Sequence, residues 1–176
     1  LKGWKIKKNS VFDIKKRFFS IFFIDVVANL REVKKWEQPI ISDHSSSLNG
    51  FLVSKIKNTM HYLLKIINEP GFDKSKYTST IFEKNFSLNP KKNIKFLSFF
   101  NKKNCSMDII NSDEGGRFLK NQTRNMICEI KDHNKINLYD NFVWASHNQV
   151  VELINQNKMT IEARNLFASC NVDKIK

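Results

Sequence analysis

The sequence predicts an α+β fold in which a mixed or antiparallel sheet is followed by two carboxy-terminal helices. Short aromatic and β-branched segments dominate the first two thirds of the 176 residues, and helical periodicity is confined to the last third. The length suits one ordinary domain with a real core. We therefore expect a single domain over residues 1–176, with an irregular, loop-rich region at residues 72–105.

Two strands are predicted in the first forty residues. Phe18–Val27 is aromatic and β-branched, which favours a buried strand. Arg31–Glu37 is predicted to form a second strand that stops before Pro39, because proline cannot donate a hydrogen bond to a sheet. Gly50–Ile56 and Met60–Ile67 then alternate around a short polar segment, which predicts a pair of adjacent strands.

The later part of the chain predicts two more strands and both helices. Arg124–Ile130 alternates well enough for a strand, and Asn141–Trp144 is short and apolar. Ser146 and Thr160 each precede apolar residues at helical spacing, so each is a candidate amino-terminal cap. A short element is also expected around Ile94–Phe100.

The net charge of +13 raises the question of nucleic acid or anionic lipid as a partner. Lysine and asparagine are enriched together and spread along the whole chain, which is what an AT-rich coding bias produces. A solvated basic surface is therefore the preferred interpretation. A basic nucleic-acid-binding domain is kept as the weakest of the alternatives.

Cysteine and hydropathy patterns bear on location. Cys105, Cys128 and Cys170 are far apart and lack the spacing of a zinc site, which predicts isolated, reduced thiols and a cytoplasmic protein. No signal peptide is visible and no apolar run approaches membrane length, so no membrane partner is expected. The histidines also show no metal-binding spacing. The chain begins with leucine, which we interpret as processing or as a piece of a longer protein.

A charged stretch over residues 111–126 is the first candidate site. Its glycines permit a tight turn that approaches an anion, its arginines suit phosphate oxygens, and its acids suit proton transfer. These residues are Gly115, Gly116, Arg117, Arg124, Asp113 and Glu114. On local composition alone, a hairpin turn with exposed charges is the better explanation.

Two further features are candidates for ligand contact. Trp36, near a strand end, is able to stack on a base or a sugar, although a single tryptophan is more often part of a core. Glu162 and Arg164 open the last predicted helix, whose amino terminus favours anions. On local evidence alone, an ordinary surface helix with a favourable acidic first turn is the better explanation of this second feature.

Taken in order, these segments resemble the NDP-hexose 2,3-dehydratase family over most of the chain. The matching blocks are Gly3-Trp4 with Arg17–Ile21 (W…GRFFS), Trp36–Ile41 (WxQPII), Gly50–Val53 with His61–Leu63 and Glu69–Gly71 (a segment ending in QAKxEPGN), Ser112–Phe118 (SEQGxRF), Arg124–Met126 (RNM), Trp144 (the start of a WLTLGQL-like stretch) and Ile161–Arg164 (NMDxRT). Each block is weak by itself. Their shared order and spacing carry the resemblance.

The resemblance implies a Nudix-like fold, because the family is built from two related halves of that type. This chain would be about one half, the carboxy-terminal repeat, and its site would be completed by a second copy or by an amino-terminal repeat. The implied activity is that of a hydro-lyase in deoxysugar biosynthesis. It eliminates water across C2–C3 of an NDP-4-keto-6-deoxyhexose such as dTDP-4-keto-6-deoxy-D-glucose, without a redox cofactor or metal.

Residue roles follow from the matching positions. The resemblance implies that Trp36 lies against the nucleotide and that Arg117, Arg124 and Arg164 lie near the diphosphate. Glu114 and Glu162 are the candidates for acid–base catalysis. The other residues of the implied substrate-binding set are Ser112, Asp113, Gly115, Gly116 and Asn125.

Two segments depart from the family pattern. Lys65–Ile67 stands where the family has QAK, and Ser79–Phe86 is a reduced form of SPTVQATxSNY. These departures favour the main alternative to an active dehydratase. That alternative is a non-catalytic nucleotide-sugar-binding or degenerate structural repeat.

Overall fold

The computed structural model describes residues 3–15, 19–43, 46–68, 70–83, 94–112 and 116–170. Within these ranges the chain forms eleven strands and two α-helices. It divides into two compact units: the first comprises Leu1–Ser47, Lys84–Pro90 and Asn111–Thr123, and the second comprises Leu48–Glu83, Lys91–Ile110 and Arg124–Lys176. Neither of the described helices is both long and apolar enough to cross a lipid bilayer.

The strands, in chain order, are β1 (Trp4–Lys7), β2 (Ser10–Asp13), β3 (Ser20–Val27), β4 (Lys35–Ser42), β5 (Ser47–Ile56), β6 (Thr59–Ile67), β7 (Lys76–Thr78), β8 (Ile81–Glu83), β9 (Cys105–Ser112), β10 (Gln122–Glu129) and β11 (Phe142–Ser146). The helices are α1 (His147–Asn155) and α2 (Ile161–Ala168). A single 3₁₀ turn at Leu97–Phe99 occupies the place of the short element expected at 94–100.

The first unit contains an antiparallel sheet in the order β1-β2-β3-β4. Strand β3 confirms the strand predicted at residues 18–27, although Phe18 lies outside the described residues. The prediction that this strand is buried is wrong. Of its eight residues only Ser20 is buried, while Phe23 is 50% exposed and Val27 is 68% exposed.

Strand β4 begins and ends later than predicted. It runs from Lys35 to Ser42 and passes through Pro39, which lies opposite Phe23 on β3. The expectation of a strand that stops before Pro39 is therefore wrong. Because β4 lies at one end of the four-strand order, a residue without an N–H donor is tolerated there.

A larger sheet, whose strands lie mostly in the second unit, has the order β11-β6-β5-β10-β9. Strand β7 adds to β6, and β8 adds to β5. The β5–β6 pair confirms the predicted strand pair. Its two turn residues, Lys57 and Asn58, have φ values of 48° and 62°, as expected for the type I′ turn that matches strand twist.

The core of the second unit lies where helices α1 and α2 pack on one face of this sheet. Alternate residues Tyr62 and Leu64 of β6 meet Val150 of α1 and Leu166 of α2 in one buried cluster. Both predicted helix caps are confirmed. The hydroxyl of Ser146 accepts the Gln149 N–H in a capping box, and the hydroxyl of Thr160 accepts the Ala163 N–H.

Two cysteines differ from the sequence-based expectation. The sulfur atoms of Cys105 on β9 and Cys128 on β10 are bonded, and their Cα atoms are 3.8 Å apart. The prediction of three isolated thiols is therefore wrong for this pair, and only Cys170 is a free thiol among the described cysteines. The reason is topological, because neighbouring strands bring together residues that are 23 positions apart.

Candidate functional site

In the first unit, the main chain of the charged stretch docks along β4. The Ile41 N–H donates to the Arg117 carbonyl at 2.9 Å, and the Leu119 N–H donates to the Ile41 carbonyl at 2.7 Å. Ile41 and Phe118 thereby form a parallel bridge. Two segments that sequence analysis treated separately, WxQPII and SEQGxRF, are thus held side by side.

A side-chain relay reinforces this docking. The Trp36 Nε1–H donates to Gln38 Oε1 at 2.6 Å, and Gln38 Nε2 donates to the Gly116 carbonyl at 2.5 Å. Gln38 therefore orients the half-exposed indole and the loop together. Gly116 has φ of +98°, a backbone conformation that strains any residue with a side chain. We name this set of Trp36, Gln38, Gly116 and Arg117 the tryptophan surface.

Arg117 is the cationic residue of the tryptophan surface, and Arg31 lies close to its indole ring. The Arg117 side chain is exposed, and within the described residues no carboxylate pairs with its guanidinium. The Arg31 guanidinium carbon lies 6.0 Å from the centre of the Trp36 ring. Ser112, at the end of β9, is also exposed. The predicted residues Asp113, Glu114 and Gly115 lie outside the described residues.

A reciprocal contact anchors the other end of the docked segment. The Asp43 N–H donates to Asn121 Oδ1 at 2.9 Å, and Asn121 Nδ2 donates to Asp43 Oδ2 at 3.0 Å. Asn121 is 6% exposed. The segment is therefore held on β4 by its backbone and at both ends by side-chain amides.

In the second unit, the Arg124 guanidinium is occupied by an acid. Its Nε and Nη2 each donate to a carboxylate oxygen of Asp108 at 2.7 Å, across strands β9 and β10. This hydrogen bonding raises the pKa of Arg124 and lowers the pKa of Asp108 below its ordinary value. A phosphate at Arg124 would have to use the remaining Nη1 edge or displace Asp108.

We expect Asp108→Asn to change how stability depends on pH. The lowered pKa of Asp108 means that its pair with Arg124 stabilises the fold above the unfolded-state pKa. That contribution is lost as pH falls through the lower folded-state pKa. Because the Arg124 side chain is 40% exposed, the contribution is about 0.5–1 kcal/mol.

Urea unfolding of the parent protein and Asp108→Asn at several pH values measures this effect. The difference in unfolding free energy between them should be present at neutral pH and should shrink as the solution is acidified below about pH 4. Asp140→Asn, at an exposed turn position, is the matched control. A difference that stays constant down to strongly acidic pH would contradict the assignment.

Asn125, another predicted contact, belongs to a buried amide network. Asn49, which is 3% exposed, donates from Nδ2 to Asn125 Oδ1 at 3.1 Å and to the Glu162 carbonyl at 3.0 Å. Asn49 Oδ1 accepts from the Ser79 hydroxyl at 2.6 Å. The network ties β5 and β10 to the first turn of α2.

Glu162 and Arg164 lie on α2, as predicted. Glu162 occupies the first turn, where a carboxylate interacts favourably with the helix dipole. Its main chain is fixed by Asn49, and the helix start is fixed by Thr160, whose hydroxyl also meets that of Thr78 at 3.1 Å. Both Glu162 and Arg164 are partly exposed.

The predicted site residues thus fall into two groups. Trp36, Ser112, Gly116 and Arg117 belong to the first unit, and the rest that are described belong to the second: Arg124, Asn125, Glu162 and Arg164. The structure joins Trp36 to Gly116 through Gln38, and it joins Asn125 to Glu162 through Asn49.

Sequence analysis missed the residues that make these connections. Gln38 is part of the WxQPII block at Trp36–Ile41, and its match to the family pattern was the one signal that could have identified it. Asn49 stood next to a predicted strand, Ser79 in the predicted loop-rich region and Asp108 outside every predicted element. None of the three had a feature that separates a hydrogen-bonding partner from a surface polar residue. Among the described residues, no three His, Cys, Asp or Glu side chains come together in a way that would hold a metal ion.

Comparison with known proteins gives one family. The family model described as NDP-hexose 2,3-dehydratase matches residues 1–170. A dTDP-4-dehydro-6-deoxy-alpha-D-glucopyranose 2,3-dehydratase from Amycolatopsis orientalis is 25% identical over 132 residues, which cover 71% of this chain and 28% of that protein. An enzyme of the same description from Saccharopolyspora spinosa is 24% identical over 169 residues, which cover 88% of this chain and 33% of that protein.

A solved structure supports the predicted fold. The crystal structure of an ADP compounds hydrolase aligns with a TM-score of 0.50 at 10% identity, covering 96% of this chain and 94% of that one. The likeness concerns the fold alone and confirms the Nudix-like α+β prediction. The chain spans about a third of the length of the curated relatives it matches, which is less than the half expected from the sequence.

Proposed function

The chain belongs to the NDP-hexose 2,3-dehydratase family, and from that premise we propose that it is one repeat of a nucleotide-sugar 2,3-dehydratase. The proposed reaction eliminates water across C2–C3 of an NDP-4-keto-6-deoxyhexose. The family match over residues 1–170 is the observation that carries the proposal. The relatives are named for this reaction on the dTDP-linked sugar, which makes dTDP the first nucleotide to test.

The chemistry needs positioned acids, bases and hydrogen-bond donors. The C4 ketone acidifies the hydrogen on C3, a base removes it, and donors stabilise the enolate that forms. An acid then assists departure of the C2 hydroxyl as water. The resulting enol relaxes to the 3,4-diketo sugar, so atoms balance without an oxidant or reductant.

We assign the nucleotide end of the substrate to the tryptophan surface. The half-exposed indole of Trp36 offers a face for the base, and its orientation is fixed by Gln38. Arg117 is an exposed cation on the segment that is docked beside it. Gly116 and Ser112 supply main-chain and hydroxyl groups nearby in sequence.

The remaining predicted residues keep their proposed roles. Glu162 and Glu114 are the candidates for sugar contact or acid–base work, and Arg124, Asn125 and Arg164 remain candidates for substrate contact, as do Asp113 and Gly115. The proposal includes a second copy of this chain or another repeat as partner. It also includes a cytoplasmic location, where nucleotide sugars are made.

Calorimetric titration of dTDP into the purified chain tests the proposal. We expect saturable binding that is weakened about 10- to 100-fold in Arg117→Ala, because a charge-assisted contact to phosphate contributes about 1.5–3 kcal/mol. Lys131→Ala removes an exposed cation in the second unit and is the charge-matched control. It should bind dTDP as the parent does.

Three outcomes separate the candidate functions. Binding that depends on Arg117, followed by water loss from the keto sugar, supports the dehydratase. Binding of dTDP without turnover of the keto sugar, even at protein concentrations high enough for two copies of the chain to associate, supports the non-catalytic repeat. The departures from the family pattern at residues 65–67 and 79–86 favour that alternative. No dTDP binding by the folded chain, together with steeply salt-dependent binding to DNA or RNA, would replace the proposal with the nucleic-acid alternative.

A further inference from the structure

A cleft in the second unit is lined by none of the residues to which a functional role has been assigned so far. Its volume is about 370 Å³, and it is lined by Lys65, Thr80, Ile81, Phe82, Glu83, Ile94, Lys95, Asn141 and Phe142. All of these residues belong to the second unit. We propose that this cleft binds a monosaccharide phosphate, with Lys65 and Lys95 holding the phosphate and Glu83 and Asn141 contacting hydroxyl groups.

The β6 strand places Lys65 in the cleft and away from the core. Its neighbours Tyr62 and Leu64 belong to the core cluster beneath the two helices, and alternation along a strand turns Lys65 to the other face. Lys65 lies directly opposite Phe142 of β11, so both side chains project from that face. A cation is therefore set beside an apolar wall.

Strand β8 supplies the second wall. Its residues Ile81, Phe82 and Glu83 pair in register with Gly50, Asn49 and Leu48 of β5. The sheet therefore fixes the backbone from which Glu83 extends. Ile81 is 3% exposed, whereas Phe82 and Glu83 are partly exposed.

Thr80 is part of the lining but is not a free ligand group. Its hydroxyl donates to the Leu63 carbonyl at 2.5 Å and accepts the Leu52 N–H at 2.9 Å. The Thr80 hydroxyl therefore links β5 and β6 beneath the cleft. The polar side chains that remain for a ligand are therefore the two lysines, Glu83 and the amide of Asn141. The main chain of Asn141 is held in place, because its backbone carbonyl accepts the Ile66 N–H at 2.7 Å.

The charges favour an anion that also carries hydroxyl groups. Two lysines against one glutamate leave a positive balance in a concave, partly apolar site, where a phosphate is held more strongly than on an open surface. The Lys95 ammonium is positioned by the Tyr139 ring, whose centre is 3.3 Å away. Carboxylate and amide groups suit sugar hydroxyls, and Phe82 and Phe142 suit the apolar face of a sugar ring.

The volume limits the size of the ligand. The cleft offers a space of about 370 Å³. This is enough for one sugar ring with a phosphate, and it lies near the lower end of ordinary ligand pockets. A whole nucleotide diphosphate sugar is too large to be enclosed.

The two segments that depart from the family pattern both contribute to this cleft. Lys65 stands where the family pattern has glutamine, and Thr80–Glu83 falls within the reduced second segment. Both departures from the family pattern therefore fall in the lining of this cleft. The tryptophan surface differs in this respect, because its residues come from the WxQPII and SEQGxRF blocks, which match the family pattern.

Titration with D-glucose 1-phosphate, followed by calorimetry and by the phosphorus NMR signal, tests the proposal. We expect saturable binding that weakens at least tenfold in the double variant Lys65→Gln, Lys95→Gln. The pair Lys57→Gln, Lys131→Gln removes the same charge from exposed turns and should change affinity less than twofold. Glu83→Gln should weaken binding of glucose 1-phosphate more than binding of inorganic phosphate.

The outcomes are independent of the proposed dehydratase site. Arg117→Ala should leave glucose 1-phosphate affinity unchanged even where it abolishes dTDP binding. Equal affinity in the parent and in Lys65→Gln, Lys95→Gln, each shown to be folded by circular dichroism, would overturn the proposal. An equal loss in the control pair would also overturn it, because the binding would then reflect overall charge.

Discussion

Replacing Asn49 with leucine is expected to lower the free energy of unfolding by about 2–4 kcal/mol. The side chain is 3% exposed and donates to both Asn125 Oδ1 and the Glu162 carbonyl. Leucine has the same branched arrangement of heavy atoms but is larger, and it can neither donate nor accept a hydrogen bond. Asn125 Oδ1 and the partly buried Glu162 carbonyl then lose this donor. Ser79 loses the acceptor that lies 2.6 Å from its hydroxyl and keeps the Ile81 carbonyl.

Chemical denaturation of the parent and Asn49→Leu measures this loss. Asn165→Leu, an exposed position on α2, is the matched control and should change stability by less than about 0.5 kcal/mol. Because Asn49 also fixes the first turn of α2, hydrogen exchange at Ala163 and Arg164 should accelerate in Asn49→Leu. An unchanged midpoint of unfolding would contradict the role given to the network.

The second large effect is expected at Gly50. An added Cβ there would lie 2.2 Å from Cε1 and 2.8 Å from Cδ1 of Phe100, so alanine forces the ring to move. Overpacking of this kind costs about 1–3 kcal/mol. Since Gly50 lies in the middle of β5 and pairs with Ile81 of β8, the strain falls on the sheet itself.

A double-mutant cycle isolates the contact. Phe100→Ala removes the ring, so adding Gly50→Ala in that background should cost much less than in the parent. The coupling energy between the two changes should be about 1–2 kcal/mol in favour of the pair. Additive effects of the two substitutions would show that the ring does not occupy the place of the Cβ.

Strand alternation, turn residues and helix caps are properties of short segments, and the elements that depend on them were predicted correctly from the sequence. The β5–β6 pair follows from alternation around Lys57-Asn58, which adopts the turn its position requires. Both helices follow from hydroxyl caps at Ser146 and Thr160. The Nudix-like fold came from the order of sequence blocks, because no local pattern distinguishes it from other α+β folds.

Other features depend on which strands lie side by side, and the sequence alone does not show this. The exposure of Phe23, the passage of β4 through Pro39 and the bond between Cys105 and Cys128 all follow from strand order. The occupation of Arg124 by Asp108 has the same origin. A composition rich in phenylalanine predicts a buried strand, but only the sheet decides which face is covered.

The candidate site was predicted in part. Trp36 and Gly116 were named from their local chemistry and again from the family blocks, and the structure joins them through Gln38, to which no role was given. Of the two lysines of the cleft, Lys65 was named only as a departure from the family pattern, and Lys95 only contributed to the charge spread along the chain. Convergence of Lys65 and Lys95 requires β6 and the segment after residue 93 to meet, which no spacing in the sequence encodes.

The central claim is that the nucleotide of an NDP-sugar binds at the tryptophan surface. Its most direct test is the indole N–H signal of Trp36 in a ¹⁵N-labelled chain titrated with dTDP, with the signal assigned by its loss in Trp36→Phe. The chain has three tryptophans, and Trp144 on β11 serves as an internal reference. We expect a saturable shift of the Trp36 signal, reduced in Arg117→Ala, with little change at Trp144. A Trp36 signal that stays fixed while the folded chain is saturated with dTDP would contradict the account.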